Sequence, residues 1–117
     1  MSNQMLATVI LSDTERQVLG GLKSDLERYF GSRLRKAVLF GSKARGDAVP
    51  ESDIDVAIVI NGLDRDSKRE IFDHVADLEI KYLQAVSLLA FSTEQFDDLL
   101  RRERRIALDI EVEGIPL

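Results

Sequence analysis

Asp53 and Asp55 are the residues of this sequence whose type and spacing point most directly to chemistry. They stand two apart in Ser52-Asp53-Ile54-Asp55-Val56, at the head of an apolar run that reaches Ile60. Strand side chains alternate between faces, so both carboxylates are expected on one face, roughly 6–7 Å apart along the strand. Two carboxylates placed side by side repel unless a cation joins them. Hard oxygen donors at this separation suit Mg²⁺, which takes one or two carboxylates and completes its shell with water and phosphate oxygens. Two such ions about 3.5–4 Å apart could share the pair and stabilise both an attacking and a leaving oxygen.

The partner segment is Phe40-Gly41-Ser42-Lys43-Ala44-Arg45-Gly46-Asp47. Gly41 follows the short apolar run Ala37 to Phe40. A glycine there lets backbone approach a ligand closely. A helix opening at Ser42 would turn free N–H groups toward a phosphate. Ser42 adds a hydroxyl, and Lys43 and Arg45 are candidates to neutralise a triphosphate, alternation leaving room for one of them to face solvent. Together these groups describe in-line attack of a hydroxyl on an α-phosphorus, with pyrophosphate leaving from the Gly-Ser turn. A Gly-Ser turn alone is ordinarily just a turn, and a lone Asp-x-Asp is common in exposed loops. Gly-Ser after an apolar strand, ten residues, then Asp-x-Asp opening a buried strand is far more specific.

These residues need elements to hold them. Ser12 and Glu15 form a capping box that opens a helix. Val18, Leu19, Leu22, Leu26 and Tyr29 or Phe30 then fall at helical spacing, with Gly31 as its end. Gly20-Gly21 inside that pattern weakens it by about 1 kcal/mol per glycine relative to alanine. Ala37 to Phe40 reads as a buried strand and Ile54 to Ile60 as a second, apolar on both faces after Asp55. About a dozen residues connect them, with room for a short helix. Asp64 to about Tyr82 reads as a helix with the stripe Ile71, Val75, Leu78 and Tyr82. Ala85 to Phe91 is a third strand. Ser92 to Gln95 is a second capping box, with Phe96, Leu99 and Leu100 on one helical face. The tail, through Ile106, Ile110 and Val112, fits either a helix or a short strand. The expected fold class is α/β, a small mixed sheet with flanking helices.

Composition narrows the function classes. With 117 residues, 44% apolar and 32% charged, the chain has the size and balance of one globular domain spanning 1–117. It contains no cysteine, which excludes disulfides and thiolate metal sites. No apolar run approaches the roughly 20 residues of a membrane span, and Met1 to Ile10 does not read as a signal peptide, so a cytoplasmic setting without a membrane is expected. The net charge of −5, with basic residues mixed among acids, disfavours direct nucleic-acid binding. An acidic chain also needs a cation between itself and a polyanion such as ATP.

The pattern Gly41-Ser42, ten residues, Asp53-x-Asp55, with Ala44-Arg45-Gly46 inside it, resembles the minimal nucleotidyltransferases of the polymerase β superfamily. Within them it is similar to the MntA-type antitoxins that accompany HEPN-domain RNase toxins. The resemblance spans nearly the whole chain. It implies the polymerase β-like fold, triphosphate binding by Gly41 and Ser42, and Mg²⁺ binding by Asp53 and Asp55. It further implies transfer of AMP from ATP to a tyrosine hydroxyl of a HEPN-domain toxin, in a hetero-oligomer, which silences the toxin. One departure stands out. Members with a full set carry a third carboxylate on the third strand, where this sequence has Ser87. Either Glu79 or Asp77 reaches the site as a further ligand, or two carboxylates suffice for a phenol of pKa about 10, or the domain neutralises its partner by binding alone. A small-molecule nucleotidyltransferase is a further alternative, though such enzymes generally carry an additional substrate domain.

Other residues have simpler readings. His74, beside Val75, reads as a partly exposed structural histidine. Arg101-Arg102-Glu103-Arg104-Arg105 follows Glu94, Asp97 and Asp98, and its cations suit a helix C-terminus.

Overall fold

The computed structural model describes Leu6, residues 9–49 and residues 52–117. The first helix, α1, covers Asp13–Phe30, and Ser12 and Glu15 close the anticipated capping box. Helix α1 runs unbroken through Gly20-Gly21. A Cβ on Gly21 would stand 3.1 Å from a methyl of Leu78, so this glycine admits the close packing of a neighbouring helix. A 3₁₀ turn at Gly31–Arg33 leads into strand β1, Leu34–Phe40. The strand starts three residues before the apolar run that announced it. Its polar first residues are accommodated by a register irregularity against the neighbouring strand and by ion pairs of Arg35 with Asp97 and Lys36 with Glu111.

Helix α2 is one short turn, Gly41–Arg45, and strand β2 is Ile54–Ile60. Helix α3 spans Arg65–Tyr82 behind an Asp64 cap, and strand β3 spans Val86–Ser92. Helix α4, Thr93–Arg101, uses the second capping box. The tail takes both of its available forms: helix α5 at Arg105–Glu113, then the two-residue strand β4 at Ile115–Pro116.

The sheet order is β3-β2-β1-β4. Strand β1 is antiparallel to β2 and β4, and β2 is parallel to β3. Alternation along β2 divides the core. Ile54, Val56, Ile58 and Ile60 pack with Val18, Leu22, Leu26, Ile71 and Val75 of α1 and α3. Ala57 and Val59 pack with Phe96, Ala107 and Ile110 of α4 and α5. Both faces of β2 are thus covered, which explains its continuous apolar run. By the same alternation Asp55 belongs to the α4–α5 side, beyond the end of the packed core, with Asp53 just ahead of the strand.

Candidate active site

Asp55 pairs in register with Phe40, the last residue of β1, and Gly41 follows directly. Gly41 has φ 76°, in the left-handed region, and a Cβ there would lie 3.1 Å from Asp55 Cγ and closer still to Oδ2. The missing side chain is the space the carboxylate occupies. This glycine is required both by conformation and by contact. Helix α2 starts at Gly41, and no side chain caps its N-terminus. The Gly-Ser turn and the Asp-x-Asp pair, twelve positions apart in sequence, therefore meet at one corner of the sheet.

Asp53 precedes β2 and is exposed, whereas Asp55 is half-buried. Burial, and then the neighbouring Asp53 charge, push the Asp55 carboxyl above the ordinary carboxylate range, while Arg45 pulls it back. A half-buried acid beside a second acid is an electrostatic arrangement that a cation relieves. These are the residues fitted to hold a divalent metal. Among the described residues no group of three or more His, Cys, Asp or Glu side chains is arranged to hold one, so a metal bound here would complete its shell with water and phosphate oxygens.

The third-strand position is located by register. Ser87 lies directly beside Asp55 on β3, on the same face. Glu79, one candidate for the further ligand, is otherwise engaged: its Oε2 accepts the Val86 N–H at 2.9 Å and fixes the turn from α3 into β3. Asp77 is exposed on α3, which packs on the opposite side of the sheet.

The two cations of the Gly-Ser segment part company. Arg45 stays at the corner, with Nε 3.2 Å from Asp47 Oδ2 and Nη1 3.2 Å from Glu113 Oε1. Its guanidinium is close enough to lower the Asp55 carboxyl, and the Asp47 and Glu113 carboxylates keep it firmly charged. Lys43 corrects the sequence expectation that it faces a triphosphate. Its side chain is 6% exposed, and Nζ sits 2.5 Å from Glu15 Oε2 on α1. A turn of α2 places residues 43 and 45 on different sides, and the buried carboxylate captures the inner one.

Glu113 was given no role at the site by sequence. It lies 68 positions from Arg45 and reaches it only because α5 ends against β1. Gly114 makes that approach possible, since a Cβ there would stand 3.0 Å from Val38 Cγ2. His74 is structural, as anticipated: Nε2 meets the Tyr29 hydroxyl at 2.8 Å.

Residues 22–106 match the family model described as polymerase beta, nucleotidyltransferase. The chain belongs to the polymerase β nucleotidyltransferase family. It is 31% identical over 89 residues to a Methanocaldococcus jannaschii protein named "Putative protein adenylyltransferase MJ0604", covering 76% of this chain and 81% of that one. A second protein of that organism, "Putative protein adenylyltransferase MJ0141", is 31% identical over 67 residues, 56% of this chain and 68% of its own. Two solved structures share the fold at 22% identity. One, described as "Structure of putative minimal nucleotidyltransferase", has a TM-score of 0.60 and covers 91% of this chain and 97% of that chain. The other, "Crystal structure of the toxin-antitoxin with AMP-PNP", has a TM-score of 0.50 and covers 81% and 68%. The mixed sheet with flanking helices is that of the minimal nucleotidyltransferases, and the chain is a nucleotidyltransferase.

Proposed function

We propose that this nucleotidyltransferase transfers AMP from ATP to a tyrosine hydroxyl of a HEPN-domain RNase toxin and so acts as its antitoxin. The observation that supports the transfer chemistry is the fit of Gly41 against Asp55, which brings the Gly-Ser turn to an acid pair. The protein acceptor is supported by the names of the two Methanocaldococcus relatives, and the toxin partner by the complex whose antitoxin-bearing structure shares the fold.

Asp53 and Asp55 would hold Mg²⁺, which when bound supplies charge neutralisation for the phosphates and the incoming oxygen. Gly41 and Ser42 line the β- and γ-phosphates, and Arg45 balances the charge that builds on the departing group. The acceptor oxygen forms a bond to the α-phosphorus as the α–β phosphoanhydride bond breaks, and pyrophosphate leaves with the bonding electrons. The phenolic proton passes to solvent. Ser87 is no base near neutral pH, and a phenol of pKa about 10 ionises far more readily than an aliphatic alcohol.

The test is intact-mass spectrometry of the toxin after incubation with this protein, Mg²⁺ and ATP, beside an Asp53→Asn/Asp55→Asn variant. The expected result is a gain of one or more AMP groups that the variant fails to add. Ser87 beside Asp55 favours a second reading, a domain that silences the toxin by contact alone. An inhibited toxin of unchanged mass would select it.

A further inference from the structure

Helix α3 carries two apolar stripes where one would serve the core. Ile71, Val75, Leu78 and Tyr82 face inward. Ala76, Ile80 and Leu83 recur at i, i+4 and i+7 on another side. Ile80 is 74% exposed and Leu83 is 91% exposed. With Glu79, Gln84 and Ala85 they border one shallow surface recess.

Leu83 is the residue that demands a reason. It ends α3 in the left-handed region, φ 52° and ψ 43°, with its N–H and that of Gln84 both donating to the Glu79 carbonyl. This is the helix ending at which glycine is the usual occupant, because a Cβ is disfavoured there. The chain instead places a branched apolar side chain in an unfavourable conformation and points it at water. Nothing within the described fold repays that placement.

The turn is also close to the chemistry. The Ala85 carbonyl accepts the Ile54 N–H at 3.2 Å, and Ile54 lies between Asp53 and Asp55. Asp73 and Asp77, both exposed, precede Ile80 along the same helix, so the apolar knob has an acidic approach.

We propose that Ile80 and Leu83 form the docking knob for the protein acceptor, which they meet through an apolar recess with a basic rim. The inference rests on the reading of this chain as a protein-modifying transferase and names the surface that presents the acceptor to Asp53 and Asp55. An aliphatic knob with Asp73 and Asp77 on its approach, and Lys81 as the one cation between Ile80 and Leu83, fits that complement and disfavours an acidic surface.

The test uses the full chain, Leu83→Gly and Ile80→Ser, with the purified HEPN-domain RNase from the same genome as probe. Titration calorimetry measures binding and intact mass follows transfer. Both variants are expected to bind the RNase at least tenfold more weakly and to raise the KM for it, with the KM for ATP unchanged. Leu83→Gly is expected to melt no lower than the parent, since glycine suits the left-handed position, so weaker docking cannot be ascribed to misfolding. Parent-like affinity in both variants overturns the proposal, as does an RNase that the parent chain does not bind. An RNase bound through these residues but gaining no mass upholds the docking surface and removes the transfer reading instead.

Discussion

The Cβ that Gly41 lacks would fall on the Asp55 carboxylate. Strand pairing places Phe40 opposite Asp55, and the positive φ of Gly41 then turns the backbone across the acid rather than away from it. One residue thus joins the Gly-Ser turn to the acid pair, and no larger side chain could do so without displacing Asp55.

Gly41→Ala is therefore expected to injure both stability and catalysis. The left-handed backbone costs an alanine about 1–3 kcal/mol, readable as a lower denaturation midpoint. Displacement of Asp55 by about an ångström is expected to lower transfer about a hundredfold. Full transfer activity in a folded Gly41→Ala protein would count against Asp55 as the central acid.

Ser87→Asp would restore a third carboxylate beside Asp55 by direct register. Three acids repel without a cation, so the metal-free variant should melt lower at neutral pH by about 1 kcal/mol in stability. Mg²⁺ should then raise its melting temperature more than it raises the parent's, and transfer should speed up. An equal Mg²⁺ response in the two proteins would place position 87 out of reach of the metal.

The raised Asp55 carboxyl gives a signed pH dependence. Its folded pKa exceeds its unfolded one, so the folded state prefers the protonated acid. Asp55 costs the metal-free protein stability as pH rises from the ordinary carboxylate range through its own higher value, and the full cost persists above that. Asp55→Asn should stabilise the metal-free protein at neutral pH while removing the melting shift on adding Mg²⁺. Denaturation followed with and without Mg²⁺ from pH 4 to 8 reads both effects; an Asp55→Asn protein no more stable than the metal-free parent at pH 8 would refute the first.

Lys43→Met should damage the fold rather than nucleotide binding. It strands Glu15, whose side chain is 8% exposed, and breaking a buried pair from one side costs about 3–5 kcal/mol. Burial raises the Glu15 carboxyl, but Lys43 and the Ser12 cap together outweigh it and hold it below the ordinary range. Its contribution is accordingly present above the unfolded carboxylate pKa and lost as pH falls through the lower folded value. Lys43→Met/Glu15→Leu should recover part of the loss, and ATP affinity of the folded protein should stay at the parent level. A large rise in the ATP KM with stability intact would return Lys43 to the triphosphate.

Much of the architecture was legible because its signals are local. Ser12 with Glu15 and Ser92 with Gln95 are reciprocal caps three residues apart, and they start α1 and α4 where the sequence indicated. The length of β1 was less legible. Arg35 and Lys36 look unlike strand residues until Asp97 and Glu111 arrive from α4 and α5 to pair with them. The tail was ambiguous because nine residues suit a helix on their own, while Ile115 becomes a strand only by pairing with Leu39.

The same division runs through the site. Sequence alone placed Asp53 and Asp55 at the head of a buried strand; the strand itself begins at Ile54, so alternation orients Asp55 but not Asp53. Sequence also determined that Gly41 and Ser42 follow a buried strand, while the antiparallel pairing of β1 with β2 brings them to Asp55. The tertiary structure decided which cation remains at the corner: Lys43 and Arg45 are two residues apart and chemically alike, but α1 offers a buried Glu15 to one and α5 offers Glu113 to the other. It likewise decided that Glu79 serves the Val86 amide and that Ser87 stands beside Asp55. Those outcomes depend on which elements pack together, and charge partners 28 and 68 positions away in the chain leave no periodic trace in the sequence.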